Sequence, residues 1–285
     1  MNQFLRYFLI PLLFLLVLFT ARAQAQITEP DLVETQRNIS ALGDNYNSGI
    51  GLNVIMNNFG FGIGGDFRKV IGPQTELSFS LRLTGIRDES EQTFTDIFFG
   101  QQIVPNKFQR AFAAPLLVGL RYRVLPDLIQ DDYRFFVSVA AGPSLALTIP
   151  YFNDVENLGY RFTGSERVLI DEQLFRLQPS PVNDIFSGWS QGEFHWGGAG
   201  EFKIGVDIGD NFTRLSSVEF GYQFYYYPDG LQIMMPNQTV PIARSPDGGV
   251  IIETDRQGNI IVEPFFEPQK FFGTPQITFI FGRLW

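Results

Sequence analysis

The chain has 285 residues, a formal net charge of −9, no cysteine and one histidine. Those counts exclude disulfides, thiolate or histidine-cluster metal centres and the basic footprint of a nucleic-acid binder. The 30 Phe, 10 Tyr and 28 Gly, set against 18% charged residues, favour strands over helices.

The first predicted element is a leader. Arg6 precedes an apolar run from Phe8 to Phe19 that contains Pro11, and Ala21-Arg22-Ala23 follows as a small-x-small cleavage pattern, with Ala23-Gln24-Ala25 as a second choice. The run is short for a spanning helix, so residues 1–23 are expected to be a signal peptide; the alternative is a retained anchor. Its removal takes away Arg6 and Arg22 and no acid, moving the charge from −9 to −11. Residues 24–47 are polar and read as a lead into the domain. No later apolar stretch is long enough for a membrane helix.

From residue 48 onward, period-2 alternation marks about eight strands. Ile50, Leu52, Val54 and Met56 alternate with Gly51 and Asn53; after a turn at Asn57-Asn58, Phe61, Ile63 and Phe67 alternate with Gly62, Gly64, Asp66 and Arg68. Leu77, Phe79, Leu81 and Leu83 oppose Glu76, Ser78, Ser80, Arg82 and Thr84. Leu116, Val118, Leu120 and Tyr122 oppose Gly119, Arg121 and Arg123. Phe135, Val137, Val139 and Ala141 oppose Ser138, Ala140 and Gly142. In the second half, Phe202, Ile204, Val206 and Ile208 oppose Glu201, Lys203 and Asp207. Val218, Phe220, Tyr222 and Phe224 oppose Glu219, Gly221 and Gln223. Ile277, Phe279 and Phe281 close the series.

The connections alternate in length. Gly72-Pro73, Pro126 to Asp132 and Gly209 to Thr213 are turn-like, whereas Asp88 to Pro115, Ile149 to Phe194 and Pro228 to Gly273 are long. Short turns on one side and long loops on the other, with an even strand count, predict an all-β, antiparallel up-and-down transmembrane β-barrel of an outer membrane. Inside lipid every backbone polar group needs a partner, and closure supplies it without leaving an edge. A soluble sandwich or lipocalin-like barrel also alternates, but packs its bulky residues inward. Here one face is small or charged and the other is Leu, Val, Phe and Tyr. On this reading residues 24–47 are a periplasmic lead and 48–285 the barrel.

The ending Ile277-Thr278-Phe279-Ile280-Phe281-Gly282-Arg283-Leu284-Trp285 resembles the terminal strand of bacterial outer-membrane proteins. Ile277, Phe279, Phe281 and Trp285 fit its alternating pattern and Arg283 departs from it. The resemblance implies that these four residues form a C-terminal signal for the barrel assembly machinery. The plan resembles the small OmpA/OmpX-type barrels. The Gln24-Ala25-Gln26 leader end and the Phe/Gly-rich strands resemble the PorT-like barrels of Bacteroidetes and relatives. Implied partners are outer-membrane lipid and envelope or secretion proteins. The expected role is a non-enzymatic structural or interaction platform; the alternative is a channel or binding protein for a small ligand.

Several residues carry candidate chemistry. The inward faces collect Asp66, Glu76, Glu201, Asp207 and Glu219 against Arg68, Arg82, Arg121, Arg123 and Lys203, expected as lumen ion pairs because an eight-stranded barrel is just wide enough for side chains. A gated ion pathway is the sharper reading of the same charges. His195, with Ser187 and Ser190 nearby in sequence, is the one place a serine hydrolase could be built. Gly60 to Gly65 mimics a dinucleotide loop but lies on a strand with no following helix. Asn38-Ile39-Ser40 matches a glycosylation pattern that short sequences reach by chance. Tyr133, Phe135, Phe136 and Phe224 to Tyr227 are expected in interfacial girdles. The three long segments hold 17 acids and 8 bases, a solvated acidic surface, and Val250 to Val262 reads as a projecting hairpin.

Overall fold

The computed structural model describes residues 41–95, 102–126, 129, 132–170, 173–184, 186–209 and 214–285. The leader, residues 24–40 and Asn38-Ile39-Ser40 lie outside the described residues.

Eight antiparallel strands close into a barrel. They are β1 (Ser48–Asn57), β2 (Gly60–Gly72), β3 (Thr75–Ile86), β4 (Gln109–Arg123), β5 (Tyr133–Pro150), β6 (Glu193–Ile208), β7 (Arg214–Leu231) and β8 (Gln269–Leu284). Each strand pairs with its sequence neighbours, and β1 closes the ring on β8, with Gly49 opposite Leu284 and Asn57 opposite Gln276. This is the up-and-down order that the alternation predicts. Side chains at every second position point outward, and the intervening ones fill the interior.

The β1–β2 connection is the tightest at the loop end. Asn57 Oδ1 accepts the Phe59 N–H at 2.9 Å, and Gly60 takes φ +125°, a left-handed conformation that glycine reaches without strain. The other three connections at this end are long. They build β-structure of their own instead of hanging as plain loops. Glu166–Ile170 and Gln173–Arg176, from the β5–β6 connection, join Pro241–Arg244 and Val250–Ile252, from the β7–β8 connection, in a four-stranded sheet with one parallel pairing.

Three expectations need correction. First, the strands run past their predicted loop-end limits: β4 starts at Gln109, not near Leu116, and β7 continues to Leu231. Neighbouring long strands pair with these extensions, so the ladder continues after the hydrophobic alternation fades. Second, Val250 to Val262 is not a free hairpin. Its turn is closed by the Thr254–Ile260 bridge, but one arm joins the four-stranded sheet and the other pairs with Asn237–Thr239. Third, Phe136, Tyr225 and Tyr227 are not girdle residues; they point inward and are buried. Aromatic content suggested an interface, but strand parity decides direction. Phe135, Phe224 and Tyr226 do face out.

Candidate functional site

The barrel interior is stacked in layers. At the end where β1 begins and β8 ends, Leu42, Tyr46, Leu215, Ile280 and Leu284 pack into an apolar floor. Leu42 lies on a short 3-10 turn, Leu42–Asp44, whose first N–H is held by the Pro73 carbonyl at 2.9 Å. The segment just before β1 therefore folds across this mouth.

Above the floor lies the charged layer. Asp66, Arg68, Glu76, Arg82, Arg121, Arg123, Glu201, Lys203, Asp207 and Glu219 all point inward and are buried. The pairs run across the lumen and tie opposite walls together. Arg68 on β2 reaches Asp66 at 2.8 Å, and Asp207 on β6 and Glu219 on β7 at 3.5 Å each. Arg121 on β4 meets Asp207 at 2.5 Å, Glu76 at 3.4 Å and Glu219 at 3.8 Å. Arg82 on β3 forms a two-pronged contact with Glu201 on β6, one prong at 2.8 Å. Lys203 bridges Glu201 at 3.0 Å and Glu219 at 2.6 Å. Charges taken out of water need partners of this kind, since an unmatched buried ion carries a large desolvation penalty.

The layer also contains residues beyond the ten expected ion-pair candidates. Arg134 is buried with its Nε 4.0 Å from Asp207, so six inward cations face five carboxylates among the described residues. Tyr46 donates its hydroxyl to Glu76 at 2.8 Å. Gln276 donates to Glu201 at 3.0 Å, Gln223 accepts from Arg82 at 3.3 Å, and Ser217 donates to Asp207. Phe136 lies under the Arg121 guanidinium, 3.2 Å from its ring centroid, a cation–π contact. Gly205, opposite Phe136 on β6, makes room for that ring, which a Cβ there would strike. Extending the β5 parity two steps toward the strand start, from Ser138, reaches Phe136 and then Arg134. Nothing local marks Tyr46, which reaches the layer from outside the strands. A cavity of about 10 Å³ beside Tyr46, Arg121 and Arg134 leaves room for about one water.

The third layer closes the loop end. Ile86, Ala111, Ala113, Ala146, Tyr225, Tyr227 and Phe272 from the wall pack with Leu231 and Ile233. Ile233 belongs to the β7–β8 connection, which crosses the mouth. Its carbonyl accepts the N–H groups of Phe108 and Gln109 at 2.8 and 3.0 Å, and Met235 donates to the Asn106 carbonyl at 2.8 Å. The Tyr227 hydroxyl is satisfied by Ser144 at 2.9 Å.

Over this layer the loop sheet is stapled by charge. Arg167 meets Asp247 at 2.7 Å, joining two connections. Glu166 accepts the Tyr160 hydroxyl at 3.0 Å, the Thr163 N–H at 3.0 Å and hydroxyl at 2.9 Å, and the Gly164 N–H at 2.9 Å. Burial pushes this carboxyl up, but the hydrogen bonds outweigh it and hold it below its usual 4.5.

The remaining candidates are not assembled into a site. His195 Nε2 lies 3.0 Å from the Thr148 hydroxyl, whereas the Ser187 hydroxyl binds Asp184 at 2.8 Å. Ser190 sits on the short 3-10 turn Trp189–Gln191. Gly60 to Gly65 form the start of β2. Ile277, Phe279, Phe281 and Trp285 all stand on the outward side of the last strand or just after it. No group of three or more potential metal ligands occurs among the described residues.

No protein-family model matches the sequence, and no curated protein matches it. Among solved structures, the chain is similar to the crystal structure of Acinetobacter baumannii CarO. The two are 11% identical, with 82% of this chain and 97% of that chain covered, at a TM-score of 0.28.

Proposed function

We propose that the chain is an outer-membrane barrel that does not conduct and serves as a structural or interaction platform for envelope or secretion partners. One observation carries the reading: bulky uncharged side chains cover the middle span of the outer face of all eight strands, while the charges of that span are locked within. Outward positions from Ile50 to Met56, Phe61 to Phe67, Leu77 to Leu83, Leu116 to Tyr122, Phe135 to Ala141, Phe202 to Ile208, Val218 to Tyr226 and Phe271 to Phe281 contain no ionisable group beyond Tyr. Leu52 is 72% and Phe61 74% exposed, an arrangement that costs heavily in water and nothing in lipid. The shortest wall strand has 10 residues, enough to cross a bilayer. No helix among the described residues is long and apolar enough to do so.

The orientation follows from connection length, with the three short turns and both chain ends of the barrel facing the periplasm. Residues 1–23 act as a signal peptide and 24–47 as a periplasmic lead, whose last residues form the floor. The outward Ile277, Phe279, Phe281 and Trp285 suit recognition by the assembly machinery. The small OmpA/OmpX-type plan is favoured by eight strands around a side-chain-filled lumen, and the PorT-like assignment rests on sequence style. Floor, charged layer and apolar mouth together leave a wall to bind against instead of a path to pass through.

The test is reconstitution of the chain into planar bilayers, with gel mobility compared before and after boiling. A boiling-dependent shift with no conductance supports the platform. Discrete conductance steps from the unmodified chain would overturn it in favour of a channel for small solutes. No shift, and solubility without detergent, would sink the membrane reading.

A further inference from the structure

The outer wall has a dent with a charged end. In one row across the wall, Phe281, Leu52, Gly65, Leu81 and Leu116 stand side by side on β8, β1, β2, β3 and β4. The middle member has no side chain, and a Cβ placed on Gly65 would meet nothing within 4 Å. The result is an outward groove of about 570 Å³. One outward step toward the short-turn end, Arg283 on β8 forms the end of that groove, in register with Ile50 on β1 and with Arg214 on β7.

The two arginines are the second observation. They are cross-strand neighbours, both exposed, and neither makes an ion pair among the described residues. Like charges directly opposite on adjacent strands repel. An arginine at an outward barrel position is disfavoured to a degree that depends on depth. Lys69, also outward, stands one row lower on β2, opposite Ser48. This cationic corner lies on a chain whose formal net charge is −9, so it is not a share of general basicity. Arg283 is also the residue that breaks the apolar alternation of the last strand, where an aliphatic side chain would meet lipid without penalty. Guanidinium groups bind phosphate through paired, charge-assisted hydrogen bonds.

We propose that this corner binds one anionic phospholipid of the periplasmic leaflet, with the phosphate between Arg214 and Arg283 and an acyl chain in the Gly65 groove. The proposal rests on the outer-membrane reading. Charge complementarity selects the headgroup, and the apolar walls of Leu52, Leu81 and Phe281 receive the chain. Lipid held there would cancel the repulsion between the arginines and fill the dent.

The test uses the full chain refolded in neutral detergent and mixed with equal amounts of phosphatidylglycerol and phosphatidylcholine, with bound lipid counted by native mass spectrometry. The expected result is one retained phosphatidylglycerol, preferred about tenfold, the size of one charge-assisted hydrogen-bond pair. The double variant R214Q/R283Q loses that preference while keeping its boiling-dependent gel shift. G65F, which leaves both arginines in place, lowers retention of both lipids. Equal retention of the two lipids by the unmodified chain overturns the proposal. So does a preference that survives R214Q/R283Q. A missing gel shift in the unmodified chain is the separate signature of a failed barrel reading, and removes this one with it.

Discussion

The charged middle of the lumen and the apolar layer at its loop end occupy the same tube, yet they are stabilised differently. The middle is completed by the wall itself. Arg68, Arg82 and Arg121 on β2 to β4 face Glu201, Asp207 and Glu219 on β6 and β7, and these ion pairs need no residue from outside the strands. The mouth needs a visitor: Ile233, from the connection after β7, seals it against Phe272 and Tyr227. Ionic contacts demand matching partners at fixed positions, whereas apolar contacts demand only volume and exclusion of water. A lost charge should therefore harm the middle more than a lost methyl group harms the mouth.

The largest effect is expected from Glu219→Leu. Glu219 lies within salt-bridge distance of Lys203, Arg68 and Arg121, and removal of one partner from a buried pair costs about 3–5 kcal/mol. Urea titration of the vesicle-inserted protein, read by intrinsic fluorescence, would measure it; a loss below about 1 kcal/mol would contradict the network as drawn. At the mouth, Ile233→Ala removes a fully buried side chain and should cost about 2–3 kcal/mol in the same titration. A larger loss at the mouth than in the middle would reverse the comparison.

A smaller effect is expected where the two ends meet the network. Tyr46→Phe deletes the hydrogen bond to Glu76 but keeps the ring in the floor, so about 1–2 kcal/mol should be lost. A neutral result would mean that water replaces the hydroxyl. The smallest effect concerns the loop sheet. Glu166 is held below its unfolded value of 4.5, so its contribution is fully present above that pH and is lost as pH falls through the depressed folded value. Limited proteolysis across pH 6 to 3 should show cleavage between residues 151 and 192 rising only below about 4.5, and a flat profile in Glu166→Gln.

Much of the middle was readable one residue at a time. Inward parity found ten of its charges because Asp, Glu, Arg and Lys rarely alternate with Leu and Phe by accident. Parity would also have found Arg134, had Tyr133, Phe135 and Phe136 not been grouped as aromatics. The mouth was unreadable by the same device. Ile233 and Met235 lie in a connection with no period, and their burial depends on the carbonyl of Ile233 meeting Phe108 and Gln109, over a hundred residues earlier. The Gly65 groove is a similar case: the glycine is visible in sequence, but its alignment with Leu52, Leu81 and Phe281 depends on the register of four strands.

The sequence by itself determined that the chain is all-β, that its strands number about eight, and which residues face each way along most of them. It could do so because a strand's side chains alternate and a bilayer-facing wall tolerates few exceptions. Only the tertiary structure decided which charge meets which, how far strands run past the apolar pattern, and what stops each end of the lumen. Those depend on closure of β1 on β8 and on contacts between residues far apart in the chain, and alternation carries no record of either.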